Sequence, residues 1–133
     1  MLKKISLSAM TFTYLFAGIV HFTKFDYFLS IAPSFMPYPR ISVVLTGLGE
    51  LLVGLLLPLP LARRWICYCV MFFWSVSLPI NIYVLSIGGA GIPLDHWKLA
   101  GMIPFHVFLI LWAYWHSLPE KSVDSRQQNL KNT

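Results

Sequence analysis

Four stretches of this chain run almost without charge over lengths that match the thickness of a bilayer. They cover residues 5–22, 41–59, 65–86 and 97–116, with Glu50 inside the second and Lys98 at the edge of the fourth. A spanning helix needs about 20 mostly apolar residues at about 1.5 Å rise each. Backbone polar groups in hydrocarbon must be satisfied within the segment, so open sheets are excluded and helices follow. The spacing predicts an all-α integral membrane protein: a four-helix antiparallel bundle forming one domain over residues 1–119. Composition agrees, with 57% hydrophobic and only 11% charged residues, where a soluble domain carries about 25%. That excludes a soluble enzyme, a disordered regulator and a nucleic-acid module. Ten Lys and Arg stand against five Asp and Glu, but these cations flank apolar runs and read as topology signals.

Counting cations near the run ends orients the bundle. Lys3, Lys4, Arg63, Arg64, Lys121, Arg126 and Lys131 fall on one side, and Lys24, Arg40 and Lys98 on the other. Both termini are therefore expected in the cytoplasm. The first run lacks an A-x-A-type cleavage site and reads as a retained span. Residues 120–133, rich in Ser, Gln, Asn and charge, read as a disordered cytoplasmic tail. The first outer loop contains Phe25-Asp26-Tyr27-Phe28-Leu29-Ser30-Ile31-Ala32, then Pro33, Pro37 and Pro39, which forbid a continuing helix. Two readings stand for it: a short interfacial helix forming a lid over the outer mouth, or a connecting loop anchored by its aromatics.

Within apolar spans the polar residues are the informative ones. His21 closes the first run, Glu50 lies about 14 Å into the second by helical rise, Asn81 lies near the outer end of the third, and His106 sits at a depth like that of Glu50 in the fourth. Antiparallel packing brings one polar side chain from each span to the outer half. An ionised side chain at mid-span costs about 2.5–3.5 kcal/mol on insertion scales, so Glu50 is expected to face the interior, either protonated or paired with His21 or His106. Gly47 and Gly54 share its helical face, and Gly18 and Ala17 lie beside His21. Small residues there permit close helix approach. The same layer reads either as a ligand pocket or as a polar knot that sets helix register.

Pro79 and Pro104 each precede a polar residue by two positions, Asn81 and His106. Each proline removes a backbone donor and kinks its helix. Ser75 and Ser77 are available to re-satisfy the carbonyl that Pro79 frees. Cys67 and Cys69 point about 200° apart on a helix, which makes a disulfide between them geometrically poor and leaves them as apolar fillers. Trp65, Trp97, Trp112 and Trp115 near the run ends match aromatic belts, whereas Phe72, Phe73, Trp74 and Phe105 lie deeper, as core or as the walls of a flat pocket. His96 and His116 fall at opposite faces and read as interface residues.

The order of these short motifs resembles the DoxX-like family of small bacterial membrane proteins. Gly18-Ile19-Val20-His21-Phe22 is similar to its G-x-x-H-F segment. The likeness continues through Pro33, Pro37-Tyr38-Pro39, Gly47-Leu48-Gly49-Glu50, Gly54, Pro58, Arg63-Arg64 and Pro79-Ile80-Asn81. In the last span the family carries W-x-R-x-P-x-Q. Here Met102 stands in the Arg place and His106 replaces Gln, so the Glu50 charge must be met by a histidine or by a proton. The resemblance implies a multi-pass protein of the bacterial inner (plasma) membrane. Some relatives are subunits of a thiosulfate:quinone oxidoreductase; others take part in redox complexes or membrane-protein assembly.

Two functions follow as expectations. In the first, the chain is an accessory subunit of a quinone-linked redox system. His21, Glu50, Asn81 and His106 then bind a quinone-like or other small ligand, and Glu50 and His106 handle protons. The cofactor is unknown, with a quinone favoured over a metal or haem. Its partners are the lipid bilayer and a membrane or redox protein that supplies electrons, with homo-oligomers allowed and nucleic acid excluded. In the second, the chain is an assembly factor or structural subunit without catalysis, and the polar layer only fixes packing.

Overall fold

The computed structural model describes residues 1–89 and 91–119. Five helices follow in order: α1 (Leu2–Thr23), α2 (Phe25–Ser30), α3 (Pro39–Leu56), α4 (Pro60–Ser86) and α5 (His96–Ser117). No strand occurs among the described residues. All but the six-residue α2 are long and apolar enough to cross a membrane. The expected tail, residues 120–133, lies outside the described residues.

Helix boundaries differ from the apolar runs where proline or arginine decides them. Residues 60–64, which lie between the second and third apolar runs, form the first turn of α4. Pro60 opens it, since the fixed φ of proline suits a first helical position and its missing N–H costs nothing there. Arg63 then reaches back: its Nε donates to the Leu57 carbonyl and its Nη2 to that of Pro58, both at 3.3 Å. Those bonds satisfy carbonyls left open after α3 ends. At the other end of α4, Gly88, Gly89 and Gly91 take positive φ values, which only glycine adopts without strain, and turn the chain into α5.

α1 and α3 pack antiparallel through glycine. A Cβ added at Gly18 would sit 2.7 Å from Leu51 Cγ, one at Gly47 2.8 Å from His21 Cβ, and one at Gly54 2.6 Å from Leu15 Cγ. For helices surrounded by lipid, burial of apolar area gains little and close packing of small residues drives association. α4 and α5 form a second antiparallel pair. Side-chain hydrogen bonds join the pairs. Trp74 Nε1 donates to Tyr14 Oη at 2.9 Å, and Trp112 Nε1 donates to Ser6 Oγ at 2.7 Å. Ser6 Oγ therefore has its own proton for His116 Nε2, 3.0 Å away. Lys3 Nζ donates to the Leu118 carbonyl at 2.6 Å, so α1 begins where α5 ends. The apolar core, Met10, Tyr14, Leu57, Cys67, Val70 and Ala113, lies towards that end. α3 and α4, though consecutive, touch little along their lengths.

The surface is inverted relative to a water-soluble protein. Phe12, Phe16, Leu45, Leu52, Leu55, Phe72, Phe108 and Leu111 are exposed, while Glu50, His106 and His116 are buried at 9%, 6% and 2% exposure. Such an exterior suits contact with lipid. Two expectations need correction. His116 is not an interface residue: the Ser6 hydroxyl gives it a polar partner inside the bundle. Trp112 packs against the core and bonds Ser6 rather than standing in an exposed belt. Cys67 and Cys69 are both free, the first buried in the core and the second exposed, as residues two apart on a helix must be.

Candidate functional site

At the end of the bundle away from Lys3 and Leu118, all five helices border one cavity of about 450 Å³. His21, Glu50, Asn81 and His106 all line it. They do so as two pairs, one on each helix pair. His21 on α1 faces Glu50 on α3, with Nδ1 2.8 Å from Oε2. Gly47, one turn from Glu50, leaves the space that His21 Cβ occupies, so glycine on α3 sets the contact. Nδ1 also lies 3.1 Å from the Ala17 carbonyl oxygen, which can only accept. The ring proton on Nδ1 is aligned with that carbonyl. Glu50 Oε2 is thus close to the imidazole in charge contact but has no well-aligned hydrogen bond among the described residues. A buried carboxylate oxygen in that state is expensive unless a donor reaches it.

The second pair is Asn81 on α4 and His106 on α5. His106 Nδ1 donates to the Met102 carbonyl, which leaves Nε2 as an acceptor. Asn81 Nδ2 lies 3.4 Å from that Nε2 and 2.8 Å from the Ser77 carbonyl oxygen, so its two protons serve both. Trp74 meets the His106 ring edge-on, with centroids 4.6 Å apart. Ser77 Oγ bonds the Phe73 carbonyl at 2.9 Å, not the Ser75 carbonyl freed by Pro79 as the sequence offered.

The remaining walls are apolar and aromatic. Phe28 of α2 stacks on the His21 ring with centroids 3.8 Å apart and planes 16° apart. With Ile31 and Met36 it borders the cavity from the first long loop, and Ile92 and Leu94 border it from the second. The short helix α2 in the first long loop therefore forms part of the cavity wall. Phe28 and Tyr14 were not singled out from sequence. An aromatic two residues past Asp26 carries no signal until its helix is folded back on α1, and Tyr14 looks like any apolar residue of its span.

The site can hold a flat, largely apolar molecule between two polar pairs. It offers a carboxylate oxygen, a donor-acceptor amide and two imidazoles, but among the described residues no Lys or Arg lines it. Among the described residues no three His, Cys, Asp or Glu side chains are grouped as a metal site would need. Volume and lining fall within the range of small-molecule sites, about 300–1,000 Å³ and mostly apolar with few convergent polar groups.

Fold and site together define a small helical protein with four helices suited to crossing a membrane and a polar cavity at one end. The chain belongs to the family described as domain of unknown function DUF8561, which matches residues 10–117. All four paired polar residues and Phe28 fall inside that match. No curated protein matches the chain, and no solved structure does.

Proposed function

We propose that this chain is an inner-membrane protein whose cavity binds a quinone-like ring at the outer side of the bilayer, as an accessory subunit of a quinone-linked redox system. The observation that carries this reading is the placement of His21–Glu50 and Asn81–His106 on facing helix pairs around one aromatic-lined cavity. A ring bearing carbonyl oxygens would accept from a protonated imidazole, or from Asn81 Nδ2 in exchange for its 3.4 Å contact with His106. Its reduced form would donate to Glu50 Oε2, the oxygen without an aligned donor. With electrons supplied by a partner protein, Glu50 and His106 in their protonated forms would give up the two protons that ring reduction consumes. The DoxX-like motif order supports the same placement, with both termini in the cytoplasm and the cavity facing outward. The cation asymmetry supports it too.

The test is purification in mild detergent, solvent extraction and mass spectrometry of what is released. Wild type should carry a quinone. Glu50→Gln and His106→Ala should each lose about tenfold to hundredfold in retention, since an unpaired buried polar group costs about 1–3 kcal/mol. Helix content should be kept. A second reading has its own support: both histidines and Asn81 bond carbonyls of their own helices four residues back, as structural polar residues do. If the polar layer only fixes packing, no quinone is extracted and both variants unfold. A reporter fused after residue 133 that is active only outside the cytoplasm would overturn the orientation.

A further inference from the structure

A second cavity, about 840 Å³, lies in the cleft where α3 and α4 part. It meets the first along a shared wall that includes Thr46, Glu50, Trp74 and Ser77. Glu50, nine-tenths buried, thus stands at the junction of the two. From Ile80 down to Trp65 the cleft runs about 22 Å by helical rise. Its rims are exposed apolar side chains, Leu45, Phe72 and Val76 among them, so it opens sideways, where lipid would be, rather than to either end. Among the described residues no Lys or Arg lines either cavity. Arg64, beyond the far end of the cleft, donates from Nε to Tyr68 Oη at 3.0 Å.

Resting on the quinone reading above, we propose that the site takes an amphiphile from the side: a neutral ring head seated among the four polar residues, and a long isoprenoid chain lying in the α3–α4 cleft. The chemistry at each end selects this occupant. A phosphate head has no cation to meet it in the cavity and would face the Glu50 carboxylate. A ring without a tail leaves the larger cavity unfilled. A chain without a ring leaves Glu50 Oε2 and the Asn81–His106 pair without a ligand partner. Continuity at Glu50 lets one molecule fill both spaces, with the ring turning inward past Trp74 and Ser77.

The test compares a dimethoxybenzoquinone bearing a long isoprenoid tail with the same ring bearing one isoprene unit. Binding to the full chain is measured in phosphatidylcholine nanodiscs by quenching of tryptophan fluorescence, against empty discs. Gly49→Phe plugs the cleft, since a Cβ there meets nothing within 4 Å. Cys69→Phe plugs it lower down from the exposed face of α4, and serves if the first variant fails to fold. The expected result is long-tail binding weakened about tenfold by either plug, with short-tail binding unchanged and Glu50→Gln weakening both. If the plugs leave long-tail binding intact while Glu50→Gln abolishes it, the ring site stands and the chain groove is overturned. If neither quinone binds wild type, the ring site itself falls. Equal competition by hexadecanol, or by phosphatidylglycerol added to the discs, means the cleft holds ordinary lipid chains and overturns the proposal.

Discussion

Alanine at Gly18 or Gly54 should destabilise the bundle although alanine is the better helix former. An added Cβ would lie 2.9 Å from the Leu51 backbone nitrogen in the first case and 2.9 Å from that of Leu15 in the second, where ordinary contact begins at 3.4 Å. The leucine side chains can rotate away, but backbone cannot, so α1 and α3 must separate by about 0.5 Å. Overpacking of this kind costs about 1–3 kcal/mol. Alanine recovers about 0.5–1 kcal/mol of helix propensity, so the net loss is about 1–2 kcal/mol per site. Both sites lie on one interface, so the double variant should lose less than the sum, because one separation relieves both. Gly49 and Gly101 are internal controls: an added Cβ meets nothing there, and alanine should be neutral or stabilising by up to about 1 kcal/mol. Unfolding by sodium dodecyl sulfate in mixed micelles, followed by far-ultraviolet circular dichroism, measures all five variants. If Gly18→Ala and Gly54→Ala match the controls, α1 and α3 do not approach this closely, and the wall that sets His21 against Glu50 is wrong.

Three further outcomes follow from the same geometry. Gly47→Val should remove ligand retention more than it lowers stability, because its side chain occupies the position of His21 Cβ, 2.8 Å away; extraction of the folded variant checks this. Phe28→Ala removes the ring stacked on His21, worth about 0.5–1.5 kcal/mol, and should speed quinone release about threefold to tenfold in a stopped-flow dilution while leaving helix content unchanged. Ser6→Ala takes away the shared partner of Trp112 and His116 and should cost about 1–3 kcal/mol in the same unfolding assay, with quinone affinity unaltered, since that network lies at the other end of the bundle.

Much of the architecture is legible in the chain because the bilayer imposes a length on apolar runs. Pro60 shows where that reading stops: hydropathy excludes Arg63 and Arg64 from a span, yet the helix includes them because backbone geometry, not polarity, decides where a helix starts. Glu50 announces its own burial through its cost in hydrocarbon, and the glycines on its face announce a close neighbour. Which imidazole meets it does not follow from depth, which sets His106 level with Glu50 and His21 at the span end. That choice depends on which helices pair and how each is rotated, and the α1–α3 glycine contacts decide it in favour of His21. Asn81 and His106 are matched in the same way by the α4–α5 pairing. His116 misleads because a histidine near a span end usually meets water; Ser6, sixteen positions before Phe22 on another helix, supplies the polar partner instead.

The most direct measurement is solid-state nuclear magnetic resonance of the full chain in liposomes, with ¹⁵N in the histidine rings, during titration with the long-tail quinone. If two polar pairs face one ligand cavity, the ring nitrogens of His21 and His106 shift together with a single midpoint, and those of His96 and His116 stay in place. Shifts at only one of the two rings, or at neither, would contradict a shared cavity between them.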